Sequence, residues 1–167
     1  MTQNKKQLRA AIIIASDRCS RAEAQDLTGP ALQYFLTGNG WHVTGVRIVP
    51  DDIKQLSAAI AEPADSSAAD LILIAGGTGL GPRDVTPEAT RPLLDKELPG
   101  IGECMRAAHR AKNPRADLSR AIAGTRKMSL IINLPGSPAG AQESLSSVLQ
   151  LAGHALAMLS GEGHQHA

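Results

Sequence analysis

Six side chains in this 167-residue sequence stand where phosphate or metal chemistry is possible: Asp17, Asp26, Asp51, Asp52, Asp84 and Asn133. Each lies in a loop that follows an apolar run, or at the strand end that feeds one. The most informative loop follows Leu71-Ile72-Leu73-Ile74-Ala75 and reads Gly76-Gly77-Thr78-Gly79-Leu80-Gly81-Pro82-Arg83-Asp84. Glycine tolerates positive φ and lets a ligand reach the backbone without meeting a Cβ. Thr86-Pro87-Glu88 then starts a helix, with a hydroxyl N-cap, proline at N1 and an acid in the first turn. Strand, glycine loop and helix start together form an anion site, because free N–H groups and the helix dipole attract phosphate. Carboxylates beside such a loop need a positive bridge, and Mg²⁺ shared with substrate phosphates is the usual one. That chemistry is phosphoryl or nucleotidyl transfer.

Generic nucleotide motifs do not describe the loop. No Gly-Lys-Ser/Thr follows, so it is not a Walker A sequence, and Pro82 or Asp84 falls where G-x-G-x-x-G needs its third glycine. The missing glycine argues against a dinucleotide-dependent oxidoreductase. Plainer roles exist for each acid. Asp51 can N-cap the helix after it, Asp26 the helix after Thr28, and Asp84 can pair with Arg83 or cap its own turn. Asn133 can satisfy its own turn, Ser16 and Ser119 can be ordinary turn hydroxyls, and His42 and His109 have no second histidine at ligand spacing.

The elements that must position these residues alternate between strand and helix. Apolar runs predict strands over 9–16, 41–49, 69–75, 120–124 and 128–134, with a turn at 124–127 between the last two. Helices are expected from Thr28 to the Gly38-Asn39-Gly40 stop, over 53–61 before Pro63, over 87–96, over 101–112, and from Ser137-Pro138 to 159. Leu130-Ile131-Ile132-Asn133-Leu134-Pro135-Gly136-Ser137-Pro138 repeats the design of apolar strand, glycine turn and capped helix. The pattern predicts one three-layer α/β/α domain over 1–167 with a mostly parallel sheet, and flexible tails at 1–7 and 161–167. His164 and His166 in the last tail read as solvated. Loops after parallel strands share one sheet edge, where ligands bind.

Composition removes other classes. Hydrophobic residues are 43% and charged residues 20%, and 17 basic residues face 16 acidic ones. With that balance and only Tyr34, Phe35 and Trp41 as aromatics, nucleic-acid binding has neither charge nor stacking support. No stretch is long enough to span a membrane. The apolar run after Lys5, Lys6 and Arg9 is short and ends in Ser16-Asp17-Arg18, which is unlike a signal peptide. Cys19 and Cys104 lack C-x-x-C spacing and suit a reducing cytoplasm.

Taken in order, several motifs are familiar. They are Ser16-Asp17-Arg18, Gln25-Asp26-x-x-Gly29-Pro30, Val49-Pro50-Asp51, Gly76-Gly77-Thr78-Gly79-x-x-Pro82-Arg83-Asp84-Val85-Thr86-Pro87-Glu88-Ala89-Thr90, Pro99-Gly100, Leu118-Ser119-Arg120 and Asn133-x-Pro135-Gly136-x-Pro138. With them the chain resembles the MoaB/Mog family of molybdenum cofactor biosynthesis, the molybdopterin adenylyltransferases, over residues 10–159. The resemblance implies Mg²⁺-dependent transfer of adenylate from ATP to molybdopterin with release of pyrophosphate. It implies the molybdopterin-binding-like fold, a homotrimer, and hand-over to a separate molybdate-insertion protein. Asp51 and Asp84 match the family's catalytic carboxylates, and would hold Mg²⁺ through ATP phosphates. Ser16, Asp26, Thr78, Ser119 and Asn133 match positions of the pterin-nucleotide site. Gly76, Gly77, Gly79, Pro135 and Gly136 complete the expected substrate loops. Asp52 departs from the glutamate of many relatives. Some members lack one or both acids; this chain has both, which favours an enzyme over a non-catalytic molybdopterin-binding or carrier protein.

Overall fold

The computed structural model describes residues 7–161. Of the tails expected at 1–7 and 161–167, residues 1–6 and 162–167, with His164 and His166, lie outside the described residues. Continuous apolar runs, buried on both faces, form the centre of the sheet. β1 (Arg9–Ala15) continues through the short α1 (Asp17–Ser20) and α2 (Thr28–Gly38) to β2 (His42–Val49). α3 (Ile53–Asp65) leads to β3 (Leu71–Ala75), then to α4 (Thr86–Thr90) and the two-residue β4 (Lys96–Glu97). α5 (Pro99–Arg110), the β5 (Ala123–Arg126) and β6 (Ser129–Leu134) hairpin, and α6 (Pro138–Leu159) complete the chain.

The sheet order is β2-β1-β3-β6-β5-β4. β2, β1, β3 and β6 run parallel, and β5 and β4 are added antiparallel at one end. The expected three-layer, mostly parallel architecture is present. Side chains of period two divide the apolar residues between two faces. Ile12, Ile14, Leu71 and Leu73 pack with Leu32 and Leu36 of α2, Met105 of α5 and Leu145 of α6. Ile13, Ile72, Ile74 and Ile131 pack with Leu56 and Ile60 of α3 and Ala89 of α4. The core is mainly aliphatic, with Trp41 buried among it, and each Leu or Ile removed from water contributes about 1.5–3 kcal/mol before entropy is counted.

Register places the site. Ala15 pairs with Val49, Ile14 with Ala75, and Ala75 with Leu134. The four parallel strands therefore end level, and the loops after them open on one edge.

Several boundaries differ from the sequence reading, and the strand expected over 120–124 is β5 at Ala123–Arg126, shifted by its pairing with β6. α3 passes through Pro63 to Asp65. A proline in the last turn forfeits a single ladder bond, and its carbonyl accepts from the N–H groups of Ala68 and Ala69 as the helix closes. The helix expected over 87–96 is only α4 and a 3₁₀ turn over Arg91–Leu93, because Pro92 cannot continue the ladder. Leu98 N–H and Asp95 N–H instead donate to Ala123 and Thr125 carbonyls, which recruits β4 as an edge. The hairpin turns at Lys127, with φ +49, not over 124–127. Gly124 lies within β5, where a Cβ would strike the Lys96 carbonyl oxygen.

Candidate active site

Two adjacent acids follow β2, and the structure gives them different work. Asp52 is the N-cap of α3, its Oδ1 accepting from Gln55 N–H at 2.9 Å. Asp51 is thereby left free of capping. Its Oδ2 accepts from Asp17 N–H at 2.9 Å, and its own N–H donates to Asp17 Oδ1 at 3.1 Å. The reciprocal pair ties the end of β1 to the end of β2. Arg83 then grips Asp17 with both arms of its guanidinium, Nε to Oδ2 at 2.9 Å and Nη2 to Oδ1 at 3.0 Å. Arg83 holds the Asp17 carboxyl below its ordinary range, whereas burial pushes Asp51 up.

Asp51 Oδ1 is buried and has no hydrogen-bond partner. It faces the glycine loop, and a Cβ on Gly77 would lie 3.1 Å from it. Gly76 and Gly77 take φ of +108° and +62°, values that require glycine. Thr86 is the first residue of α4 and not its N-cap. Its hydroxyl donates to the Gly76 carbonyl at 2.8 Å, and its N–H to Gly77 at 3.0 Å, which folds the loop back on itself. Among the described residues, the N–H groups of Gly77, Thr78 and Gly79 carry no hydrogen bond to the protein. A phosphate oxygen would satisfy them. α4 has five residues, so these amides carry the anion site more than its dipole does. Asp84 caps its own turn, its Oδ2 accepting from Gly81 N–H at 2.7 Å.

The loop separates two cavities that share Gly136. One, of 440 Å³, is lined by Ser16, Asp17, Asp26, Asp51, Gly76, Gly77 and Asp84, with Arg18 and Arg83 as its cations. The other, of 430 Å³, is lined by Thr78, Gly79, Ser119, Pro135 and Gly136, and its charged lining consists of Arg106 and Arg115, with His109 beside them. Sequence reasoning placed these loops together without seeing that they face two ways. Arg106 is fixed by the Ser119 and Ala121 carbonyls at 3.2 and 3.3 Å. His109 bridges Ser144 Oγ through Nε2 at 3.0 Å and Glu143 through Nδ1 at 3.1 Å.

Arg120 fastens the dividing wall. Its N–H donates to Thr78 O at 2.9 Å, Nε to Gly79 O at 2.7 Å and Nη2 to Asp84 O at 2.6 Å, and it pairs with Glu88. From the sequence, Arg120 receives no role, Asp17 only a place among the candidate acids, and Arg83 only a pairing with Asp84. Their partners are far away in the chain, and only the opposite charge of Arg83 beside Asp84 hinted at an ion pair, with the wrong acid.

Other expected residues are placed as follows. Ser16 Oγ accepts from Cys19 N–H at 3.2 Å and caps α1. Asp26 Oδ1 accepts from Thr28 and Gly29 N–H, both at 2.9 Å, so it takes its capping role while bordering the acid-lined cavity. Ser119 Oγ accepts from Ala121 N–H at 3.3 Å. Asn133 is not at the open edge. It is fully buried, borders neither cavity, and donates through Nδ2 to Thr90 Oγ1 at 3.0 Å. It pairs in register with Ile74, and strand alternation sends both toward the α3–α4 layer. Its contact fixes α4 against β6.

No group of three or more His, Cys, Asp or Glu side chains among the described residues gathers into a metal cage. Two carboxylates, one with a buried unpaired oxygen, fit a cation completed by ligand phosphates.

The level parallel strand ends, the glycine wall and the opposed linings define an α/β protein for phosphate-bearing ligands. Residues 11–154 match the family described as "Probable molybdopterin binding domain". The chain is similar to the molybdopterin adenylyltransferase of Helicobacter pylori, 41% identical over 142 residues, covering 82% of this chain and 79% of that protein. It is 38% identical over 149 residues to the molybdopterin adenylyltransferase of Escherichia coli, covering 88% and 76%. The crystal structure of the molybdopterin biosynthesis enzyme MoaB from Thermus thermophilus superposes with a TM-score of 0.87 at 47% identity, covering 93% of this chain and 98% of that one. The chain belongs to this molybdopterin-binding, MoaB/Mog family.

Proposed function

We propose that the protein transfers adenylate from ATP to molybdopterin, giving adenylyl-molybdopterin and pyrophosphate. The observation that carries this is the unpaired, buried Asp51 Oδ1 facing a glycine wall with a cation-lined cavity on its other side. The acid-lined cavity takes the ATP polyphosphate. The basic cavity takes molybdopterin, with its terminal phosphate on the free amides of the loop. An oxygen of that phosphate attacks the α-phosphorus, and the bond to the bridging oxygen breaks with its electron pair leaving on pyrophosphate. Asp51 and Asp84 would hold Mg²⁺ here, and the ion would offset charge on the phosphates. Thr86 and Arg120 keep the wall in place.

A carrier that only stores molybdopterin needs no unpaired carboxylate beside the loop. Release of pyrophosphate from ATP that appears only when molybdopterin is added supports the reaction. No release over a protein-free control overturns it, and molybdopterin binding without release leaves the carrier.

The homotrimer is supported by edge strand β2, whose Val46 and Ile48 are 38% and 41% exposed. Sedimentation of a monomer at micromolar concentration removes it. Hand-over to a separate molybdate-insertion protein follows from the product, which carries no metal. A cytoplasmic setting is supported by Cys19 and Cys104, both unpaired. Among the described residues no helix is long and apolar enough to cross a membrane.

A further inference from the structure

Arg83 holds Asp17 in a way that a polyphosphate can imitate. Its Nε and Nη2 meet the two carboxylate oxygens at 2.9 and 3.0 Å, the parallel fork that also fits two phosphate oxygens. The Arg83 side chain is 64% exposed, and Asp17 only 19%. Arg83 therefore reaches down to its acid from open solvent, and its outer surface is free to turn. It lines the same cavity as Asp51, Gly77 and Asp84. An ion pair with an exposed partner contributes little to stability and is readily exchanged.

Asp17 has a second task that does not need Arg83. Its Oδ1 accepts from Asp51 N–H, and its own N–H donates to Asp51 Oδ2. Neither bond uses an atom of Arg83. The cavity has one other cation in its lining, Arg18. An entering triphosphate, with no third basic side chain to meet there, competes with Asp17 for Arg83.

We infer that Arg83 has two stations: Asp17 in the free protein, and the oxygens of the pyrophosphate group when nucleotide or product is bound. The inference rests on the ATP reading of the acid-lined cavity and adds the residue that takes the leaving group. Asp17 then acts as a built-in competitor that sets how tightly pyrophosphate is held, and thus how readily it departs.

The test is calorimetric titration of inorganic pyrophosphate, in buffer with a fixed excess of Mg²⁺, into the wild-type protein, Arg83→Ala, Asp17→Asn and the double variant. Asparagine keeps an oxygen for Asp51 N–H but gives up the charge that Arg83 pairs with. Arg83→Ala is expected to weaken pyrophosphate on the order of tenfold, the loss of a charge-assisted hydrogen-bonding pair. Asp17→Asn is expected to tighten it by roughly threefold, the release of an exposed ion pair. The double variant is expected to bind like Arg83→Ala alone, because Asp17 competes only through Arg83. Thermal melting of all four separates binding from folding. Equal affinity of wild type and Arg83→Ala overturns the inference, as does weaker binding by Asp17→Asn with an unchanged melting temperature. If wild type releases pyrophosphate from ATP but Arg83→Ala binds it normally, the two stations fail and the reaction stands. If wild type releases none, the reaction fails whatever Arg83 binds.

Discussion

The two cavities on either side of the Gly77–Thr78 wall have nearly the same volume and opposite charge. In the acid-lined cavity the carboxylates are held by one another's backbone N–H groups, as in the Asp17–Asp51 exchange. In the basic cavity Arg106 is held by backbone carbonyls and His109 by Ser144 and Glu143. The difference bears on how two anions can be brought together. A single basic pocket would attract both phosphates but would hold them by the same groups. An acid-lined pocket accepts a polyphosphate only with added positive charge, while its basic neighbour accepts a phosphate directly. The glycine wall is thin enough for both to meet, because no Cβ stands at Gly76, Gly77 or Gly136.

The largest expected effect separates the cavities by chemistry. Asp51→Ala is expected to lower pyrophosphate release by about 10²-fold or more, the scale of losing one strong electrostatic stabiliser. Molybdopterin affinity, read by titration, is expected to stay near wild type because Asp51 lines only the acid side. Asp84→Ala should lower turnover as well. It also frees Gly81 N–H and so loosens the wall, and a rise in hydrogen exchange over 78–84 should accompany it. Turnover near wild type in Asp51→Ala would leave that residue only its bond to Asp17.

A second effect falls on the wall itself. Gly77→Ala places a Cβ against Thr86 Oγ1 at a φ of +62°, and is expected to lose about 1–3 kcal/mol of stability. Both ligands should weaken together, because Gly77 and Thr78 are successive residues facing opposite cavities. Gly38→Ala is the control, since a Cβ there meets nothing within 4 Å. If ATP weakens and molybdopterin does not, the wall is not shared.

How much of this was legible depended on distance along the chain. The apolar runs, the glycine loop and the Ser137-Pro138 helix start are local patterns, and they gave the three-layer fold and the meeting of loops at one edge. The division of labour between Asp51 and Asp52 was not legible, since either spacing suits a cap and only the backbone angle decides. By sequence Asn133 reads as a strand-end residue that serves the loop beyond it. Which face of the sheet it joins depends on register with Ile74, 59 positions earlier by residue number. Arg83 and Asp17 meet across 66 positions, and the cations of the basic cavity come from α5 and the turn after it, with no local motif to announce them. β4 exists because β5 offers an edge, which two residues cannot signal alone.

The smallest expected effect tests the basic side alone. His109 links α5 to α6 through Ser144 and Glu143, and both His109 and Ser144 border the basic cavity. His109→Ala leaves the buried Ser144 hydroxyl without that partner, a change of about 1–3 kcal/mol in stability. Glu143 is half exposed and keeps Lys112 at 3.8 Å, so its loss is minor. With this α5–α6 link gone, although Cys104 Sγ still meets the Ser147 carbonyl, the cavity wall relaxes and molybdopterin should weaken by a few-fold, roughly 1 kcal/mol for one misplaced hydrogen bond. His109→Gln can still reach Ser144 and should recover part of the stability. ATP and pyrophosphate affinities should not change, because His109 lines the basic cavity and not the acid-lined one. Titration of all three ligands against both variants reads this directly. Equal weakening of ATP and molybdopterin at unchanged fold would mean that the two linings act as one site, and that their opposite charge does not divide the substrates.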